Sequence, residues 1–594
     1  MATIKEDRFM IKLKFLCFSI TAFMLSGCNL SVETTIGGSV NSNDELIHCG
    51  DTCVASYDTT QVVTLHATPD EGYIFDGWSG ACTGNTECIV SIGKSSGDKK
   101  VTAIFHSLDA ITFDDPDFSR CVKEALDNTE VESLADITSL YCSYTSGSAV
   151  KLKFFPNLTD LRLTPRIHYG PRDLISKQVD FSQNTGLTHL TLDNFLVTRV
   201  DLTQNTALTE LNLDMIRLKD IDLSQNTKLT KLDMYNNQLT VINLTQNTAL
   251  KDLSLRSMKL KDIDLTQNTA LERLDLSGNA LTGIDLTQNT ALDNLNLDNN
   301  QLTEIDLTQN TVLTVLYLGS NQLTDVDLTQ HTALRSLYLN KSLLTSINLP
   351  QSAALTRLDL STNQLTDIDL SQNPGLTTLW LYDNQLTNID VMQNTALEDL
   401  TLTGNPLTDI DLTQNATLTT LQLSNSQLTD IDLTQNTALT NLQLFNNQIT
   451  NIDLMQNTAL STLNLNNNQL TNIDLTQNVT LTSLSLGNNQ LTDIDLTQNT
   501  ALINLDLNNN QFTNIDVTQN TALTRLYLHS NQLTEIDITQ NAALFYVYLH
   551  SNQLTEIDLD ENRDLQRLYL EENPFTQETK NYLDTIDWIF KMEY

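Results

Sequence analysis

Basic residues are scarce in this chain. Its 594 residues include 33 Lys plus Arg against 73 Asp plus Glu, a formal net charge of −40. Phosphate recognition needs clustered cations, so nucleic acid is excluded as a partner, and so is electrostatic docking on anionic lipid. Cysteine is absent after Cys142. Histidine numbers eight and is scattered, apart from His529 and His550, which lie one repeat apart. No G-x-S-x-G, H-E-x-x-H, P-loop or dinucleotide fingerprint occurs, so no enzyme activity and no cofactor are expected. Long apolar runs are also missing. The segment from Phe15 to Leu25 is too short for a comfortable membrane span.

What is present is a repeat. From Leu187 to Leu565 a leucine starts a new unit at every 21st position, giving 19 starts, and Leu158 opens an earlier, irregular unit. The unit Leu460 to Thr480 reads LSTLNLNNNQLTNIDLTQNVT. Its Leu460, Leu463, Leu465, Leu470, Ile473 and Leu475 are the inward positions, and Leu463-Asn464-Leu465 alternates as a strand does. A fixed period of this length predicts a solenoid whose stacked units bury one continuous core. The unit resembles the leucine-rich-repeat family, L-x-x-L-x-L-x-x-N-x-L, over more than two-thirds of the chain. The resemblance implies a mostly β solenoid of 20 repeats with a parallel sheet on its concave side and little helix. Ile473-Asp474-Leu475 is expected to be a second short extended wall. Stacking at about 4.8 Å per strand gives a span of roughly 90–100 Å.

The N-terminus is a targeting segment. Lys5, Arg8, Lys12 and Lys14 precede the apolar core, and Leu25-Ser26-Gly27-Cys28 follows it. This resembles a bacterial lipoprotein signal, which implies lipid on Cys28 and cleavage before it. An ordinary signal peptide or an uncleaved anchor is the other reading. Asn29 resembles the outer-membrane sorting choice. The expected location is therefore the bacterial cell envelope, at the outer membrane or cell surface. Removal of residues 1–27, with four basic and two acidic residues, takes the net charge to −42.

Six further cysteines precede the array. Their even number in an exported chain reads as disulfides, with Cys49–Cys53, Cys82–Cys88 and Cys121–Cys142 the preferred pairs. Zinc on the first four is the alternative. Residues 36–107 have strand character, with the run GYIFDGWSGACTGNTECIVSI between VTLHATPDEG and KKVTAIF. That run resembles the internalin B-repeat module, which implies a spacer or adhesive unit with Trp78 in its core. DFSRCVKEALDN, 117–128, puts Phe118, Val122, Ala125 and Leu126 on one helical face and resembles the helical N-terminal cap of the family. Glu578 to Phe590 resembles the helical C-terminal cap. The expected division is signal 1–27, tether 28–35, β module 36–107, N-terminal cap 108–157, repeats 158–576 and C-terminal cap 577–594. An insertion at 164–177 is expected to loop out of the solenoid.

Three polar columns recur. Asn468 and its equivalents are expected to pair with backbone in the turn after the strand, with local irregularity where Phe195, Ile216, Met258, Ser342 and Ser426 interrupt them. Gln477-Asn478 serves the second turn. Asp474 recurs from Asp180 to Asp558, broken only by Asn243 and Asn348. Carboxylates one strand apart repel, so either backbone hydrogen bonds or weak calcium association must relieve them.

Two clusters depart from the Asn, Ser, Thr and Asp that dominate the concave positions. The first is Tyr317, Tyr338, Trp380 and Tyr382. The second is Arg525, Tyr527, His529, Tyr546, Tyr548, His550, Arg567 and Tyr569, from three adjacent repeats. Exposed aromatics with Arg are typical of interface hot spots. The expected role is binding of a protein partner by a monomer. Glycan binding by aromatic stripes and a passive acidic spacer are the alternatives.

Overall fold

In the computed structural model the described residues are 27–49, 53–70, 73–84, 87–93, 96–107, 116–126, 134–143, 152–164, 179–194 and 199–594. The expected signal segment through Ser26, the insertion from residue 165 on, and Phe195 lie outside them. The chain divides into two units, the first of residues 1–140 and 150–158, the second of 141–149 and 159–594.

The first unit contains two four-stranded sheets. One has the order β4 (Val54–Tyr57), β1 (Cys28–Thr34), β8 (Lys99–Ser107), β6 (Tyr73–Gly80). The other has the order β3 (His48–Cys49), β2 (Gly38–Ser42), β5 (Gln61–Pro69), β7 (Cys88–Ile92). Alternate residues of these strands, such as Val63 and Leu65 or Val101, Ala103 and Phe105, are buried in one core. Trp78 is 5% exposed and lies 5.0 Å from Phe75, edge to face, as a core residue. The segment 28–35, expected to be a tether, is instead largely β1. Leu30 and Val32 are its inward residues and are 0% and 2% exposed, which makes the segment structural. Cys82 and Cys88 form a disulfide. Cys49 and Cys53 are free thiols, in contrast to the expected pair. Cys49 is buried, its Sγ donates to the Val32 carbonyl at 3.4 Å, and burial followed by the adjacent Cys53 pushes its thiol well above the usual range. The helix α1 (Pro116–Leu126) follows, with Phe118 buried edge-to-face on Phe155 at 6.3 Å. Cys121 and Cys142 are both disulfide-bonded.

The second unit is the solenoid. Twenty short strands, from Asp160–Thr164 to Arg567–Tyr569, pair parallel with their immediate sequence neighbours, leucine opposite leucine except at Val547. Within the unit at 460, Leu460, Leu463, Leu465, Leu470 and Leu475 are at most 1% exposed, and Ile473 is half-buried. Each such leucine contributes about 2 kcal/mol of burial, which is what holds a one-dimensional stack together.

Polar side chains complete each turn. Asn468 Nδ2 donates to the carbonyls of Leu444 and Leu465, both at 3.0 Å, and its Oδ1 accepts from Ile449 N at 3.1 Å. Asn478 Nδ2 donates to the carbonyls of Leu454 and Asn457 at 3.1 and 2.9 Å. His331 and Ser352 replace the second asparagine in two repeats: His331 keeps one of the two bonds, to Leu307 O, and Ser352 Oγ instead donates to Thr332 O and accepts from Ala354 N. Two of the first column's gaps, Ile216 and Met258, are locally irregular, as expected, whereas Ser342 and Ser426 keep the ordinary turn dihedrals. Where Ile216 and Met258 stand, the next residues, Arg217 and Lys259, have φ of 58° and 88°, an extra left-handed step.

The residue before each ladder asparagine is left-handed in every regular repeat. Asn, Ser or Gly fills most of these positions, but Thr362 has φ 57°. A β-branched residue pays about 1–2 kcal/mol there. Thr362→Asn is expected to raise stability by about 1 kcal/mol, measured by urea unfolding; an unchanged midpoint would contradict this account of the turn.

Among the described residues, the Ile-Asp-Leu wall carries no regular strand, only an isolated bridge between Asp327 and Asn348. Its backbone groups are occupied elsewhere: Thr476 N donates to Asp474 Oδ1 and Asn499 Nδ2 donates to Leu475 O. At the C-terminus the expected helix is shorter and is followed by a strand. The helix α2 (Gln577–Leu583) begins at the Thr576 cap, and Lys591–Glu593 then pairs with Arg567–Tyr569 and extends the sheet.

Candidate functional site: the concave face

Strand residues on either side of the central leucine point outward, so each repeat contributes to three parallel columns on the concave face. One holds Asn504, Arg525, Tyr546, Arg567 and Lys591. The next holds Asp506, Tyr527, Tyr548, Tyr569 and Glu593. The third, just after the strand, holds His529, His550 and Glu571.

The structure brings all eight residues of the second cluster together. Tyr527, Tyr548 and Tyr569 form a continuous stack with centroid distances of 4.9 and 4.6 Å. His529 and His550 stack at 4.5 Å, and the Nδ1 of each is buried without a hydrogen-bond partner. Burial, and then the neighbouring His550, lowers the pKa of His529, so this imidazole is neutral at pH 7. Arg525 and Arg567 lie 5.8 and 5.5 Å from the Tyr546 ring. Burial pushes the Tyr527 phenol and the Glu571 carboxyl upward.

The first cluster is only partly joined. Tyr317 and Tyr338 stack at 4.5 Å with an interplanar angle of 6°. Asp359 stands between Tyr338 and Trp380 in the register, and Trp380 Nε1 donates to Asp399 Oδ2 at 3.2 Å. Tyr338, Asp359 and Trp380 line a shallow groove of about 300 Å³, to which Tyr382 does not contribute.

An acidic stretch lies elsewhere on the same face. Burial raises the pKa of Asp193, Asp214 and Asp298, the last to about 6, with Asp275 and Asp359 adding to it. The separate aspartate column on the opposite wall behaves in the reverse way. Hydrogen bonds from the Thr hydroxyl and then the backbone N–H lower Asp264, Asp285, Asp327, Asp411 and Asp495; for Asp306, Asp432 and Asp474 the backbone bond is the larger. Repulsion from Asp474 and Asp516 is a lesser effect at Asp495, so hydrogen bonds decide the charge state there. Among the described residues, no group of three or more His, Cys, Asp or Glu is arranged to hold a metal ion, and no helix is long and apolar enough to cross a membrane.

Sequence reasoning missed three residues beside the second cluster: Phe545, Arg563 and Trp588. Phe545 and Arg563 interrupt columns that elsewhere hold mostly small or polar residues, which was a usable signal. Trp588 joins them only through the fold of the C-terminal cap.

The family model of the divergent InlB B-repeat domain matches residues 28–108. The functional domain of InlJ from Listeria monocytogenes is 33% identical over 62% of this chain and 77% of that one, with a TM-score of 0.51. The chain belongs to the internalin-type leucine-rich-repeat family. YopM from Yersinia enterocolitica WA-314 shares the fold at 18% identity, covering 78% of this chain and 88% of its own, TM-score 0.53. So does the leucine-rich-repeat ectodomain of an Arabidopsis thaliana membrane receptor kinase, at 21% identity, 74% and 68% coverage, TM-score 0.53. No curated protein sequence matches. The InlJ domain includes a cysteine ladder. This internalin-type array has no cysteine, and asparagine amides run through its turns instead.

Proposed function

We propose that this internalin-type protein is an interaction scaffold that binds a protein partner on the concave face, centred on the Tyr527–Tyr548–Tyr569 stack. The observation that carries the reading is the concentration of stacked aromatics, two arginines and two half-buried histidines on three adjacent strands of an otherwise Asn- and Thr-rich sheet. Protein hot spots have this composition. The ectodomain relative from Arabidopsis is in complex with Casparian strip integrity factor 2, an example of protein recognition by this fold.

The stacking also argues against the glycan alternative at this cluster. Sugar rings need an open aromatic face. Here the inner tyrosine faces are occupied by neighbouring rings, and both arginines sit near Tyr546. The reading assigns binding and no catalysis. The passive-spacer alternative offers no reason for the cluster.

Replacing Tyr527, Tyr548 and Tyr569 together with Ser removes the stack from a solvent-facing column and leaves every inward leucine in place. Screened against arrays of extracellular protein ectodomains and of glycans, the native protein is expected to retain protein hits that the triple variant loses by about 100-fold or more. Hits confined to glycans, or equal binding by both proteins, would reject the site.

Lipid attachment at Cys28 belongs to the same proposal. Cys28 is half-buried and opens β1, so a lipid there would hold the β module directly at the bilayer. Fatty-acid labelling lost in Cys28→Ala, with release of the protein from membranes, is the expected result.

A further inference from the structure

Beside the second cluster, on the flank of the sheet, lies a groove of about 550 Å³. It is lined by Arg525, Phe545, Tyr546, Arg563 and Trp588, with Asp564 the acidic member. Phe545 packs edge-on against Tyr546 at 4.8 Å. The Arg563 guanidinium lies 3.9 Å from the Trp588 ring centre, and its Nε donates to Asp560 O at 2.8 Å. Arg525 donates to Asn504 Oδ1 at 3.0 Å. The wall of the groove is therefore aromatic and its rim cationic.

Two facts bear on what this groove would receive. First, the chain carries more than two acidic residues for each basic one. Yet among the described residues neither Arg525 nor Arg563, nor the neighbouring Arg567, forms an ion pair with a carboxylate. Arg162, Arg256 and Arg273 elsewhere on the sheet do, while Arg357 does not. Second, Trp588 Nε1 is a buried donor with no acceptor. Buried donors are almost always paired, so an unpaired one marks a place for an incoming oxygen. Planar guanidinium groups and an indole N–H both suit a carboxylate, and the three rings suit an aromatic or aliphatic side chain beside it.

We infer that this flank groove receives an acidic peptide segment of the partner, a Glu or Asp carboxylate at Arg525 and Arg563 with an adjacent apolar side chain against Phe545 and Trp588. The inference deepens the proposed function and rests on it. It also gives the partner an orientation, since the acidic stretch at Asp193, Asp214 and Asp298 repels the same segment from the far end of the face.

The test is selection of a random-peptide phage library on the immobilised protein, followed by titration of the enriched peptides in low and high salt. Enrichment of acidic–aromatic sequences is expected, with affinity falling as salt rises and falling roughly tenfold or more in Arg525→Gln and in Arg563→Gln. Arg563→Lys keeps the charge, loses the planar fork and should bind at an intermediate level, which separates recognition from a loosened cap. Peptides without acidic bias, or acidic peptides insensitive to both Gln variants but lost in the triple Tyr→Ser variant, would overturn the groove and leave the concave-face reading standing. Failure to enrich any peptide, with uronic-acid oligosaccharides bound instead, would overturn both.

Discussion

Asn468→Ala is expected to destabilise the protein by about 3–4 kcal/mol. The side chain makes four hydrogen bonds: two short donor bonds to the carbonyls of Leu444 and Leu465, a longer one of 3.4 Å to Asn466 O, and one as acceptor from Ile449 N. Each made bond is worth about 1 kcal/mol net, and each buried backbone group left orphaned costs a further 1–3 kcal/mol before relaxation. Relaxation is available, which keeps the sum moderate. At Met258 the neighbouring Asn279 Oδ1 accepts from the N–H groups of Met258, Lys259 and Leu260 together, so the turn itself rearranges where an asparagine is missing. Asn468→Asp should be at least as harmful, because an ionised carboxylate offers no donor to the two carbonyls. Hydrogen exchange should show the lesion locally: the Ile449 amide loses protection first, since neighbouring repeats couple only to one another. A loss below 1 kcal/mol, with Ile449 still protected, would mean that leucine packing alone specifies the turn.

The same residues show what a reader of the chain could and could not see. The inward leucines and the strand at Leu463–Leu465 follow directly from the 21-residue period, because burial repeats whenever the sequence does. The ladder asparagines were legible for the same reason: a small polar residue at a fixed offset from a strand must serve its turn. For the Ile-Asp-Leu wall the pairing was not legible, because extended sequence character says nothing about whether neighbouring backbones pair. There the Thr476 and Asn499 donors take the groups that a strand would need. Strand β1 was missed because CNLSVET is polar at four of its seven positions, and only the other sheet strands reveal Leu30 and Val32 as inward. The site was half legible. Its tyrosines, histidines and Arg525 and Arg567 stand out as departures from a regular column. Trp588 does not, since it lies beyond the array and reaches Arg563 through a helix and a final strand whose course the period does not encode.

Stability should pass through a maximum near pH 4–5 rather than at neutrality. Two sets of carboxylates act with opposite signs. Asp298, Asp193 and Asp214 have pKa values raised above 3.8 by burial. Their folded-state contribution is complete below the unfolded value and is lost as pH rises through the folded value, about 6 for Asp298. At pH 7 Asp298 therefore opposes folding. A shift from 3.8 to about 6 corresponds to about 3 kcal/mol at 1.36 kcal/mol per unit, and screening of its exposed part reduces this to about 1–1.5 kcal/mol. Relief of repulsion in a chain of net charge −40 acts in the same direction as pH falls from 7. The aspartate column does the reverse. Asp264, Asp285, Asp474, Asp495 and their equivalents are held below 3.8 by Thr hydroxyl and backbone bonds. Their contribution is complete above that value and is lost as pH falls through the depressed folded values. These groups are exposed and each contributes little, but the loss recurs along the array, so Tm should fall steeply below about pH 4. Asp298→Asn keeps the acceptor for Gly319 N, which bonds to Oδ1 at 2.6 Å, and removes the charge. It should raise stability at pH 7 by about 1 kcal/mol and flatten the rise between pH 7 and 5, leaving the acid limb unchanged. Thr497→Val should shift only the acid limb, because its hydroxyl donates to Asp495 Oδ1 at 2.7 Å. A Tm that declines monotonically from pH 7 to 3, or an Asp298→Asn variant less stable than the native protein at pH 7, would show that the burial of the concave carboxylates does not govern their charge.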